Sequence, residues 1–172
     1  MDDAVTARRL AEIELRLGAL EDDKAVRELI VRHDYCFDTM RDEDWLELWT
    51  DDGTYDLLST LRYPDGSERT VAQVWRGPDQ LRQFISDPDT HHRRGFYGHS
   101  MHVAGQEMVV AVAGDTATAT SYSLLFQEVD GSLSILSGAN SRWTLRRVDG
   151  SWKLQERRRR QVGTPEFAAN LG

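Results

Sequence analysis

The sequence predicts an α+β fold, with helices packed on one face of a strongly bent, mostly antiparallel sheet. Three observations carry this expectation. Apolar residues recur at helical spacing before Met40, the pattern changes to alternation from Ser100 onward, and the turn dipeptides Gly114-Asp115, Asp130-Gly131 and Asp149-Gly150 divide the alternating half.

The helical half comes first. Thr6 to Leu20 sets Leu10, Ile13, Leu17 and Leu20 on one stripe. The stretch Gly18 to Asp23 offers a break, with Asp22 or Asp23 as a fresh N-cap. A second helix then runs to about Met40, carrying Val26, Ile30, His33 and Phe37 on one side and Tyr35 and Asp38 on its flank. A short helix over Asp44 to Trp49 stops at Asp51-Asp52-Gly53. Thr54 to Leu58 reads as a strand, Tyr63-Pro64-Asp65-Gly66 as a turn and Thr70 to Val74 as its return. Gly77-Pro78-Asp79 opens a helix with proline near its first turn and Leu81, Phe84 and Ile85 as the buried stripe. Ser86 to Gly98 is polar and reads as a loop.

Four long strands follow, over Met101 to Val112, Thr116 to Glu128, Ser132 to Arg147 and Trp152 to Val162, linked by hairpin turns. The tail over residues 163–172 reads as loosely held. Period-two parity puts His102 on a face with Ala104, Met108, Val110 and Val112. It puts Asn140 with Leu136, Gly138 and Arg142, and Arg158 with Trp152, Leu154 and Glu156. If those faces are concave, His102, Asn140 and Arg158 point into a partly apolar hollow.

At 172 residues the chain is the size of one domain, expected to span 1–172, and such a domain buries roughly 70% of the surface an unfolded chain exposes. The 21 basic and 29 acidic residues argue against nucleic acid or an anionic membrane as a partner. No stretch approaches the roughly 20 apolar residues of a membrane span. The single cysteine, Cys36, excludes an intrachain disulfide and reads as packing, consistent with a reducing cytoplasm. His91, His92, His99 and His102 lie close in sequence, but adjacent or opposite-parity histidines diverge and no metal-ligand spacing is present. No metal or other cofactor is expected. The Arg157-Arg158-Arg159-Arg160 run lacks interleaved aromatics and reads as a strand with alternate members turned inward.

The order of these motifs resembles the nuclear transport factor 2-like superfamily, a cone-shaped (cystatin-like) fold, in its SnoaL-like and scytalone dehydratase-like branch. The resemblance covers about residues 10 to 162. It rests on Phe37-Asp38, on Asp51-Asp52-Gly53-Thr54-Tyr55 thirteen to seventeen residues later, and on Trp75-Arg76-Gly77-Pro78. It continues with Ser100-Met101-His102, Gly138-Ala139-Asn140 and Asp149-Gly150-Ser151-Trp152-Lys153-Leu154. It implies a catalytic dyad of Asp38 and His102, a substrate-polarising arginine at Arg158 and a water-holding tyrosine at Tyr55. Phe37 stands where scytalone dehydratase has a tyrosine, although Tyr35 is near. Phe126 stands near that enzyme's second histidine, which argues against its specific substrate. The spacing from Asp38 to Trp45, Leu46, Leu48 and Asp51-Asp52, with Arg142-Trp143-Thr144-Leu145-Arg146-Arg147, is also similar to the β subunits of aromatic-ring dioxygenases, which normally do no chemistry.

The expected function is therefore a cofactor-independent lyase or dehydratase, or an isomerase, acting on a hydrophobic cyclic small molecule. An aspartate that orients a histidine and favours its protonated form makes a working general base. Tyr35, Tyr55, Asn140 and Arg158 are the expected substrate contacts. A dioxygenase β-like subunit and a small-molecule binding module are the alternatives, and an outer sheet face suggests a homodimer or homotrimer.

Overall fold

The computed structural model describes residues 3–62, 66–89, 98–105 and 108–170. The elements run α1 (Asp3–Asp38), α2 (Asp42–Leu46), β1 (Trp49–Arg62), β2 (Glu68–Arg76), α3 (Gly77–Ser86), β3 (Ser100–Ala104), β4 (Val109–Ala113), β5 (Thr116–Val129), β6 (Ser132–Val148), β7 (Ser151–Gln161) and α4 (Pro165–Ala169). Residues 63–65 of the expected turn, and His91 and His92, lie outside the described residues. Among the described residues no helix is long and apolar enough to cross a membrane.

The strands form one sheet in the order β2-β1-β7-β6-β5-β3, with β4 also on β5. All its pairings are antiparallel except β1 with β7, so the first strand lies beside the last. Asp130 and Asp149 take positive φ ahead of Gly131 and Gly150, as the two-residue hairpin turns require. The helices α1, α2 and α3 cover the concave side. There Val26, Ile30, Trp45, Trp49, Tyr55, Trp75, Phe84, Trp143, Leu145 and Leu154 make the core. Its rings meet at 4.6 Å for Trp75 and Phe84, 4.9 Å for Tyr55 and Phe84, and 5.2 Å for Trp45 and Trp49. Tilted and edge contacts of this kind add about 0.5–1.5 kcal/mol each beyond area burial.

Four expectations need correction. The two N-terminal helices are one helix of 36 residues. Gly18 does not break it, because a lone glycine costs only about 1 kcal/mol against alanine. Asp22 is not an N-cap; its Oδ1 accepts from Arg147 Nη2 (2.5 Å) and Trp152 Nε1 (3.0 Å), tying α1 to the β6–β7 hairpin. The expected strand over Met101 to Val112 is split into β3 and β4, which pair with different parts of β5. The tail is docked rather than loose over residues 163–170: Pro165 opens α4, and buried Asn170 donates to Asn140 Oδ1 (2.5 Å) and to the Arg158 carbonyl (3.2 Å).

The fourth correction concerns parity. The β6–β7 register shifts between Thr144/Leu145 and their partners Glu156/Leu154, so Gln155 is an extra residue and a β-bulge. Before it Trp152 and Leu154 point inward; after it Arg157 and Arg159 do. On β6 the inward residues are Ser137, Ala139, Ser141, Trp143 and Leu145, which leaves Asn140 on the outer face under α4.

Candidate functional site

The site begins at the C-terminal end of α1. Helical spacing that buries Val26, Ile30, His33 and Phe37 brings Asp38 to the edge of β3. There Asp38 Oδ1 lies 2.6 Å from His102 Nδ1, and Asp38 Oδ2 accepts from the His102 backbone N–H, also at 2.6 Å. One carboxylate thus fixes both the strand position and the ring of His102, with side chains 14% and 10% exposed. An acceptor at Nδ1 sets the tautomer with the proton on that nitrogen. Phe37 packs edge-on to the imidazole at 5.5 Å.

His102 stands between two hollows. The inner cavity holds about 70 Å³ and is lined by Tyr55, Leu57, Val71, Trp75, Phe84 and Leu125, with Ser59, His102 and Arg159 as polar groups. Arg69 and Asp87 bridge at 2.8 Å on its rim. Asp38 is not on this wall; it stands behind His102 and lines an outer groove of about 710 Å³ with Tyr35, Met101, Val103, Phe126 and Leu133. Tyr35 is half exposed there, with the Arg41 guanidinium 5.5 Å from its ring centre.

Two arginines enter from β7. Arg159 is buried and donates to Ser59 Oγ (2.9 Å) and Ser137 Oγ (3.1 Å). Burial pushes its guanidinium below the ordinary arginine value. Its hydrogen-bond partners among the described residues are the two hydroxyls and no carboxylate. Arg157 belongs to a deeper network. Its guanidinium lies 4.4 Å from the ring centre of Trp143, and Nη1 is 3.6 Å from Asp34 Oδ1 and 3.3 Å from His33 Nδ1. His33 Nδ1 and Asp34 Oδ1 are 2.9 Å apart. Burial, then the Arg157 charge, pushes the His33 imidazole down to about 4. Burial alone would raise Asp34, but the His33 hydrogen bond and the Arg157 charge outweigh it and hold the carboxyl well below the usual range.

The structure therefore brings together Asp38, His102 and, across the inner cavity, Tyr55. Tyr35 is near the dyad but in the outer groove. Two residues are placed elsewhere. Arg158 is half exposed and pairs with Asp56 (3.3 Å) and Glu156 (3.4 Å), because the bulge at Gln155 turns it outward. Asn140 donates to the Phe167 carbonyl (2.9 Å) and holds Asn170, so it secures α4. Sequence reasoning missed Arg159, Ser59 and the His33–Asp34–Arg157 network. The inward set on β6 had a signal: Trp143 and Leu145 share its parity, and large apolar residues mark the core face.

Comparison with known proteins agrees with this architecture. Residues 18–158 match the family model of the SnoaL-like domain. No curated protein sequence matches the chain. Among solved structures, an NTF2-like protein with a cystatin-like fold from Novosphingobium aromaticivorans is 28% identical, with a TM-score of 0.78 over 95% of this chain and 97% of that one. A candidate scytalone dehydratase from that organism is 16% identical, with a TM-score of 0.61 over 84% and 86% of the two chains. The β subunit of a candidate aromatic-ring-hydroxylating dioxygenase, again from that organism, is 21% identical, with a TM-score of 0.64 over 85% and 92%. The last two likenesses are of fold.

Proposed function

We propose that this chain, which belongs to the SnoaL-like domain family, is a cofactor-independent lyase or isomerase that removes a proton from a hydrophobic, cyclic carbonyl or hydroxyl compound. The observation that carries the reading is the doubly held His102, whose ring lines an apolar cavity while its Nδ1 is occupied by Asp38. His102 Nε2 takes the proton from carbon next to an activating carbonyl. In an elimination the C–H electron pair becomes the new double bond as the C–O bond breaks. The departing hydroxide then recovers the proton from His102 and leaves as water. In an isomerisation the same proton returns at another carbon. Asp38 stabilises the imidazolium between these steps.

Arg159 takes the role that the family resemblance suggested for Arg158. A buried guanidinium on the cavity wall, held by two neutral hydroxyls, favours a developing enolate oxygen or leaving anion. Tyr55 supplies a hydroxyl on the same wall, and Tyr35 is kept as a contact for substrate approaching through the outer groove. The Arg69–Asp87 bridge stands beside this cavity. Exposed Val103, Tyr122 and Leu124 on the outer sheet face favour a homo-oligomer.

The test is turnover of a panel of cyclic β-hydroxy carbonyl compounds, followed by loss of water or a shifted double bond in the mass and NMR spectra of the product. Turnover abolished by His102→Ala supports the reading. Equal turnover by wild type and His102→Ala sinks it, and saturable binding without product supports a binding module instead.

A second reading, a non-catalytic oxygenase subunit, is favoured by the comparable likeness to the dioxygenase β subunit. Co-purification with a larger iron-containing chain supports that reading, and a self-contained assembly opposes it.

A further inference from the structure

The N-terminal half of α1 has no part in the site and almost none in the fold. From Ala4 to Leu20 every residue except the half-buried Gly18 is exposed, a length of about 25 Å at 1.5 Å per residue. Among the described residues the helix is tied to the body at Asp22, through Arg147 and Trp152. A helix that long without a packed face is marginal in water. This one nevertheless carries Leu10, Ile13, Leu17 and Leu20, between 53% and 68% exposed, at alternating spacings of three and four. That is the a/d pattern of a coiled coil.

The charges beside the stripe select one arrangement. With Leu10 and Leu17 at a and Ile13 and Leu20 at d, the g positions are Arg9 and Arg16 and the e positions are Glu14 and Glu21. In a parallel pair each g faces the e of the following heptad on the other helix, so Arg9 meets Glu14 and Arg16 meets Glu21. In an antiparallel pair g meets g and e meets e, which sets arginine against arginine and glutamate against glutamate.

The body leaves room for that arrangement. The row that α1 buries, Val26, Ile30, His33 and Phe37, lies about 150° around the helix from the stripe, at 100° per residue. Exposed Val31 and Tyr35 continue the stripe's azimuth along the body. Two copies can therefore join along their stripes with the two bodies on opposite sides of the axis. Leu15 sits farthest from the seam and takes no part.

We propose that a second copy of this chain docks on the Leu10–Ile13–Leu17–Leu20 stripe to form a parallel two-stranded coiled coil. Leu10→Glu with Leu17→Glu, both far from the core, is expected to halve the mass measured by sedimentation equilibrium while leaving the far-UV spectrum of the body intact. Arg9→Glu with Arg16→Glu is expected to do the same. Mixing that variant with Glu14→Arg/Glu21→Arg restores a one-to-one assembly. Ile13→Cys is expected to cross-link to itself under mild oxidation, since the native Cys36 is buried. A wild-type monomer, a mass unchanged by Leu10→Glu/Leu17→Glu, or an Ile13→Cys variant that does not cross-link would each overturn the proposal.

Discussion

The two oxygens of Asp38 hold one residue at two points: the backbone amide and the ring Nδ1 of His102 each lie 2.6 Å from a different oxygen. The residues are 64 positions apart, one at the end of a helix and one in a short strand. The ring therefore has neither rotational freedom nor a choice of tautomer, and strand placement and ring orientation depend on a single carboxylate.

His102→Ala is expected to reduce turnover by about 10²–10⁴-fold, the usual worth of a positioned base. Asp38→Asn keeps an acceptor for the backbone amide but loses the charge that steadies the imidazolium. It should lower kcat with little change in KM or in Tm. Steady-state kinetics and a thermal melt on the same preparations check this. An Asp38→Asn enzyme with unchanged kcat would remove Asp38 from the mechanism.

The arginine run offers a sharper contrast between neighbours. Arg158→Ala removes a half-exposed side chain and two surface ion pairs, so stability should change by less than about 0.5 kcal/mol, with turnover intact. Arg159→Met removes a buried charge whose side-chain hydrogen-bond partners among the described residues are hydroxyls, so Tm should hold or rise. Turnover should nevertheless fall roughly 10²–10³-fold, as for loss of an oxyanion donor. If Arg158→Ala is the more damaging change for turnover, the bulge-shifted parity does not govern the chemistry.

The deeper network makes a pH prediction. His33 is pushed down to about 4 in the folded chain, against 6.5 for an ordinary histidine. The unfolded chain then binds the extra proton between those values, so the stability from a neutral His33 is complete above 6.5 and is lost as pH falls toward 4, at about 1.4 kcal/mol per pH unit. Asp34, held low, keeps its contribution until more acid conditions. Urea midpoints across this window should fall for wild type and fall less steeply for His33→Gln. Asp34→Asn should cost about 3–5 kcal/mol at neutral pH by removing the carboxylate paired with buried Arg157.

Asn140→Ala is expected to act on the tail. It leaves the Phe167 carbonyl and Asn170 without their partner, a cost of about 1–3 kcal/mol. Amide exchange over Pro165–Ala169 should rise sharply while KM stays near wild type. A large KM increase with unchanged exchange would return Asn140 to the substrate site.

The gap between sequence and structure follows from bulges. Helical spacing was enough to place His33, Phe37 and Asp38 on the correct sides of α1, and alternation was enough to find β5, β6 and β7. Alternation cannot reveal an extra residue. Gln155 shifts the face of everything after it, so Arg157 and Arg159 point inward while Arg158, expected in the cavity, points out. Gly18 misled for a different reason: a flanking run of good helix formers carries the helix across one unfavourable residue. The meeting of Asp38 and His102 was legible only through motif order, because no local pattern encodes a contact across 64 residues.

The parallel seam between β1 and β7 has a consequence for how the chain is made. Leu57 aligns with Arg159 and Tyr55 with Arg157, so a strand translated early waits for one translated about a hundred positions later. At ribosomal speeds of roughly 5–20 residues per second, that is a delay of about 5–20 s. For that interval β1 keeps an open edge able to capture a stranger, and nascent chains should depend on holdase chaperones until β7 leaves the exit tunnel.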